Sequence, residues 1–200
     1  LVRERWRRAT GERLHPPPPS ADDAWPPMLE PDVKDVDVAI ARTQPNYKRY
    51  REIREVEALY LDAIAAARKH IYIENQYFTS KVVGEALAAR LQEEDGPEVF
   101  LVLPLKRFGW LEEHTMGLLR SRLVRKLRRE DRYNRLRVFY PYIEGLKKGC
   151  ENIHAKVLVV DEKLARVGSA NLNNRSMGLD TECDLAVESG GDPRVERAIA

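Results

Sequence analysis

Between Arg51 and Lys69 the apolar positions Ile53, Val56, Leu59, Tyr60, Ala63, Ile64 and Ala67 recur at spacings of three and four, which predicts an amphipathic helix. Ile71-Tyr72-Ile73-Glu74-Asn75-Gln76-Tyr77-Phe78 then begins with aromatic and β-branched residues and turns polar midway, as a strand does when it leaves a sheet core for a pocket rim. A helix around Val82–Glu93, the turn pair Gly96-Pro97 and the wholly apolar run Val99–Leu103 continue the alternation. A third helix is expected over Leu111–Arg129 and a further strand over Leu136–Tyr140, closed by Pro141. After Gly149 the pattern reads as strands only, at Lys156–Val160, Leu164–Val167 and Cys183–Glu188, until Asp192-Pro193 opens a terminal helix. The sum is an α/β fold with helices flanking a mixed sheet.

Residues 1–33 follow another rule. Pro16 to Pro19, Pro26, Pro27 and Pro31 remove backbone donors, so residues 1–40 are expected to form a proline-rich linker or wrapping segment, ahead of a folded unit over 41–200. The chain opens at Leu1 and stops within its last predicted helix, and is therefore read as part of a longer protein.

Composition narrows the picture by exclusion. Thirty-four Lys and Arg against 32 Asp and Glu give a net charge of +2, too balanced for bulk attraction to nucleic acid, so any basic surface must come from local clustering. No apolar run approaches the roughly 18 residues of a membrane span. Cys150 and Cys183 form neither a disulfide framework nor a zinc-ligand pattern, which suits a reducing compartment.

The chemically richest stretch is His154-Ala155-Lys156-Val157-Leu158-Val159-Val160-Asp161, followed by Gly168-Ser169-Ala170-Asn171. Strand alternation puts His154 and Lys156 on one face, with Ala155, Val157 and Val159 on the other, expected to pack into the core. A turn near Glu162-Lys163 returns the chain, the same period pairs Ser169 with Asn171, and Gly168 permits close approach. Imidazole, ammonium, hydroxyl and amide together offer donors for several oxygens and one nucleophile or proton carrier, without a carboxylate cluster for metal. Such a group suits an anion, above all a phosphate, and calls for no metal and no cofactor. Glu182, opening the last strand, could accept the second ring N–H of His154 and fix its tautomer.

This H-x-K-x-x-x-x-D, six-residue spacer and G-S-x-N resemble the signature of the phospholipase D superfamily. Ile71–Phe78, Gly168–Met177 and Asp180–Asp184 are similar to the second half of bacterial phospholipases D and phosphatidyltransferases, and the similarity spans about Ala41 to Ala200. The resemblance implies a fold that is one half of a two-half sandwich, and a site built from two signature copies. This chain holds one copy, since His15, His70 and His114 cannot head another H-x-K. The partner is then an absent half of the same protein or a second identical subunit.

By the same resemblance the reaction passes through a covalent phosphohistidine, with His154 leaning towards general acid/base. Lys156 and Asn171 would bind phosphate oxygens, Ser169 would assist, Glu182 would orient a histidine and Asp161 would hold its loop. Asn75, Gln76 and Tyr77 could line a headgroup pocket or form a hydrogen-bonded turn. Leu118, Leu119, Leu123 and Leu127 form one stripe of a helix whose other face, with Arg120, Arg122, Arg125, Lys126, Arg128 and Arg129, could meet an anionic membrane or simply water. Trp110 and Tyr133, near that helix's ends, suit an interface or the core. Phospholipid is the expected substrate, with nucleic acid ranked below it. The chain is placed in the cytoplasm or peripherally at the cytoplasmic membrane face. A homodimeric endonuclease-type phosphodiesterase and a non-catalytic interaction domain are the competing readings.

Overall fold

The computed structural model describes residues 2–19, 25–105, 113–146 and 153–200. Trp110, Leu111 and Cys150 fall outside them. Two compact units separate at residues 32 and 33. The first contains α1 (Val2–Thr10), a helix the proline reading did not foresee because every proline of this stretch follows it. Glu4 pairs with Arg7 and Arg8 one turn away, which supports so short and exposed a helix.

The second unit is built on one eight-stranded sheet of order β2-β1-β8-β7-β6-β3-β4-β5. Its strands are β1 (Ala39–Gln44), β2 (Ile53–Arg54), β3 (His70–Asn75), β4 (Glu98–Val102), β5 (Leu136–Phe139), β6 (Lys156–Val160), β7 (Leu164–Gly168) and β8 (Glu182–Glu188). β3, β4 and β5 run parallel, joined by helical crossovers, and the remaining pairs are antiparallel. The helices are α2 (Glu55–Ala66), α3 (Lys81–Leu91), α4 (Leu118–Glu130, preceded by a π turn at Glu113–Gly117), α5 (Asn174–Gly178) and α6 (Pro193–Ile199). Asp192 caps α6 by accepting from Arg194 N, with Pro193 in the first turn.

Three elements escape the hydrophobic pattern. β1 and β2, the edge strand and its neighbour, have too few buried side chains to alternate visibly, and α5 is a single turn set by the Asn173 cap inside a stretch read as strands only. One assignment of faces is reversed. Leu158 and Val160 share Lys156's side of β6 and enter the core, while Val157 and Val159 remain half-exposed on the opposite face. The face bearing the candidate chemistry is thus the one that α2 and α3 cover. Val56, Tyr60, Ile64, Leu87 and Leu91 from the helices meet Ile71, Ile73, Val99, Leu101 and Leu158 from the sheet there. At roughly 1.5–3 kcal/mol per large apolar side chain, this core holds β6 rigid. In α4, Leu127 is buried and Leu123 packs on the core, but Leu118 and Leu119 are exposed, so the predicted stripe is sunk only at its C-terminal end.

Candidate active site

The first residue of β6 places a cation where water barely reaches. Lys156 is 7% exposed, and its Nζ donates to the His154 carbonyl at 2.7 Å and to Gln76 Oε1 at 3.3 Å. Burial pushes this ammonium's pKa below the ordinary lysine value; the Glu182 carboxylate pulls it back up, and the Arg166 guanidinium lowers it further. His154, just before the strand, is exposed.

Ser169 and Asn171 flank fully buried Ala170, so the loop after β7 presents both towards the same space. Ser169 Oγ donates to Glu182 Oε2 at 2.5 Å and accepts from Cys183 N at 3.0 Å. Among the described residues, the Glu182 carboxylate thus meets the serine hydroxyl and not the His154 imidazole expected of it. Glu182 stays within electrostatic reach of Lys156. Asn171 Oδ1 is buried with no hydrogen-bond partner, while its backbone N–H donates to Ser176 Oγ. That oxygen is an acceptor the fold itself leaves open.

Two of the predicted residues are hydrogen-bonded into the fold. Asp161 follows β6 at its far end, where its carboxylate accepts from the backbone N–H of Arg68, Lys69 and His70 at 2.6–2.8 Å. Burial alone would raise its pKa, and these three donors outweigh burial and hold the carboxyl below its ordinary range. These bonds tie the far end of β6 to the chain entering β3, at the opposite end of the strand from Lys156. Asn75 is fully buried, and its Oδ1 accepts from Tyr77 N and Leu172 N, the bonds of a hydrogen-bonded turn. Gln76 does face the site through Lys156, and Tyr77 is half-exposed beside it.

Sequence reading passed over the group that holds the site together. Arg166 and Asp184, both side chains wholly buried, form an ion pair between β7 and β8. Arg166 also donates to the carbonyls of Lys156 (2.8 Å) and Ala170 (3.2 Å) and stacks 4.7 Å above the Tyr60 ring. Asp184 Oδ1 accepts from Ala170 N at 3.1 Å. One guanidinium therefore ties the lysine strand to the serine–asparagine loop. Gly168 is required by this pair, since a Cβ there would fall on the Asp184 carboxylate. The parity of β8, with Glu182, Asp184 and Ala186 on one face, was the available signal.

The chain is thus an α/β fold in which an imidazole and a buried ammonium at the start of β6 accompany a hydroxyl and an open amide after β7, on neighbouring central strands of one sheet. The family model "Cardiolipin synthase, PLD-like domain" matches residues 60–196, and the chain belongs to that family, within the phospholipase D superfamily of phosphodiesterases and phosphatidyltransferases. It is 28% identical over 169 residues to "Phospholipase D" of Phytophthora infestans, a match covering 66% of this chain and 9% of the relative. It is 25% identical over 191 residues to "Cardiolipin synthase A" of Pectobacterium carotovorum, covering 93% of this chain and 33% of the relative. The chain thus spans a third or less of these relatives' length. The crystal structure of Nuc, a phospholipase D family member from Salmonella typhimurium, shares the fold with a TM-score of 0.57 at 18% identity, covering 82% of this chain and 89% of Nuc.

Proposed function

We propose that this chain is one catalytic half of a phospholipid phosphodiesterase or phosphatidyltransferase. The observation that carries the reading is the Lys156 ammonium, 7% exposed, set between the His154 carbonyl, Gln76 and the Ser169–Glu182 pair. A cation held at a desolvation cost is stabilised by an anion, and Lys156 with Asn171 would take the non-bridging oxygens of a phosphodiester. A histidine of the second half attacks phosphorus, the bond to the leaving alcohol breaks, and His154 gives that alkoxide its proton. Neutral His154 then removes a proton from water or a second alcohol as it displaces the phosphohistidine. Ser169 and Glu182 position the loop that carries Asn171, and Gln76 with Tyr77 borders the headgroup.

The second histidine comes from another half of the same protein or from a second copy of this chain. The 33% coverage of the cardiolipin synthase favours the first, and the 89% coverage of Nuc keeps the second in play. We assign the unit from Val33 to Ala200, which includes β1 from Ala39 and so begins before the expected residue 41, to the catalytic half, and the residues ahead of it to a connecting or wrapping segment. Among the described residues no helix is long and apolar enough to cross a membrane, and we place the protein peripherally at the cytoplasmic membrane face. Phosphatidylcholine or phosphatidylglycerol in mixed micelles, run beside DNA nicking with chelator present, tests the reading. Phospholipid turnover that survives chelator is expected, because Lys156 and Asn171 take the role a divalent ion has in other phosphodiesterases. Nicking without lipid turnover sinks it in favour of an endonuclease, and neither activity in the assembled protein favours an interaction domain.

A further inference from the structure

A second cationic site lies on the same edge of the sheet. β3 ends at Asn75 opposite Lys156, and β4 and β5 run parallel to β3, so Val157, Glu74, Val102 and Phe139 stand level across four strands. At about 4.8 Å per strand, Phe139 lies roughly 15 Å from β6. Beyond it, between the ends of β4 and β5 and the side of α4, opens a cleft of about 460 Å³. Leu103, Val124 and Val138 form its apolar walls, and Arg120, Arg125 and Arg128 its basic ones.

No carboxylate lines this cleft among the described residues. α4 carries six basic residues and a single acid, Glu130 at its end. Arg120 is spent on the carbonyls of Pro104 and Leu105, but Arg125 uses only Nε, on the Ser121 carbonyl, and Arg128 has no protein partner among the described residues. Two guanidinium groups therefore line a space roomy enough for a phosphate headgroup, with no counter-charge among the described residues. The rim is of another character. Leu105, Phe139 and Tyr140 are about half exposed there, Tyr142, Ile143 and Leu146 follow on the next loop, and Leu118 and Leu119 open the helix.

We infer that this cleft seats the headgroup phosphate of an anionic phospholipid in a bilayer, a lipid distinct from the one being cleaved. Guanidinium groups meet the phosphate while the leucine and aromatic rim enters the interfacial layer. A nucleic acid would satisfy the arginines yet leave the exposed aliphatic side chains in water. The inference extends the phospholipid reading: lipid bound here would turn the sheet edge, and His154 with it, towards the membrane.

The test is sedimentation of the assembled protein, this chain together with the half or second copy that supplies the other histidine, with phosphatidylcholine vesicles, with and without phosphatidylglycerol, against Arg125→Gln/Arg128→Gln. Both positions are exposed on the helix, and an unchanged thermal melt confirms the fold. Wild-type protein should prefer the anionic vesicles, and the double variant should lose about 30-fold in affinity, a factor of about five per basic residue. Turnover of a short-chain phospholipid below its micelle concentration should stay at the wild-type rate. Unchanged vesicle binding in the variant overturns the inference, as does loss of single-stranded DNA binding alone. If the wild type cleaves no phospholipid yet the variant loses vesicle binding, the cleft assignment stands and the substrate assignment fails.

Discussion

The two ends of β6 carry the two charged residues of one signature, and the structure treats them in opposite ways. At the far end Asp161 is saturated: three backbone N–H groups converge on its carboxylate, and its pKa is depressed. At the near end Lys156 is equally buried but under-satisfied, with two neutral oxygens for partners and a pKa lowered first by burial. A charge that the fold fully compensates contributes to stability. A charge that the fold leaves short is kept for a ligand. The contrast supports the reading proposed above, in which Asp161 serves the architecture and Lys156, with exposed His154, the chemistry, although both belong to the same motif.

The strongest way to break this contrast is His154→Asn. The side chain is exposed, so the thermal midpoint should hold within error, while turnover of the assembled protein falls by at least about 10²–10⁴-fold through loss of the proton relay. Wild-type turnover in this variant would dismiss the near end as the site.

Second in size is Asp184→Asn, aimed at the brace behind the near end. Removing one partner of a wholly buried pair leaves the Arg166 charge uncompensated, at a cost of about 3–5 kcal/mol. Denaturant unfolding should show that loss, and a variant as stable as wild type would mean Arg166 finds compensation elsewhere.

That brace also marks where sequence reading stopped. β3, β4, β6 and β7 were legible because runs such as Val99–Leu103 and the alternation from Lys156 onwards are dictated by burial. The site's charged and polar positions were legible as a pattern of types. Arg166 and Asp184 were not, because a charge inside a strand normally signals the solvent face, and it is their wholly buried ion pair that shows both turned inward. The faces of β6 were misjudged for a related reason. Val157 and Val159 are apolar like Leu158 and Val160, and an all-apolar strand does not say which side the helices cover. Asn75 could be a turn or a pocket residue on sequence alone, and its partner Leu172 lies 97 residues away.

The far end of β6 is sharpened by Asp161→Asn. An amide keeps one acceptor oxygen and loses the charge and the bond to Arg68 N, so about 1–3 kcal/mol should go. Since the folded-state pKa lies below the unfolded one, the wild-type contribution is present above the unfolded value and lost as pH falls through the folded value. Acid unfolding should therefore be steeper in wild type than in the variant, and turnover well below the melting temperature should match. A large loss of turnover at intact fold would return Asp161 to the chemistry.

The smallest expected effect is at the near end, and its sign is the reverse. Lys156 has a folded-state pKa below its unfolded one, so between the two values the unfolded chain binds more protons and stability rises with pH. Burial is the largest cause of that depression, which means the ammonium is carried at a cost when no anion is bound. Lys156→Met keeps the buried stem and removes the charge, so it should abolish the alkaline rise and unfold no earlier than wild type at neutral pH. Adding inorganic phosphate should raise the melting temperature of wild type more than that of this variant, because only the wild type gains a counter-ion there. Equal stabilisation of both proteins by phosphate, or marked destabilisation by Lys156→Met, would show that the Gln76 and His154 oxygens already compensate the ammonium. The difference between the two ends of β6 would then disappear.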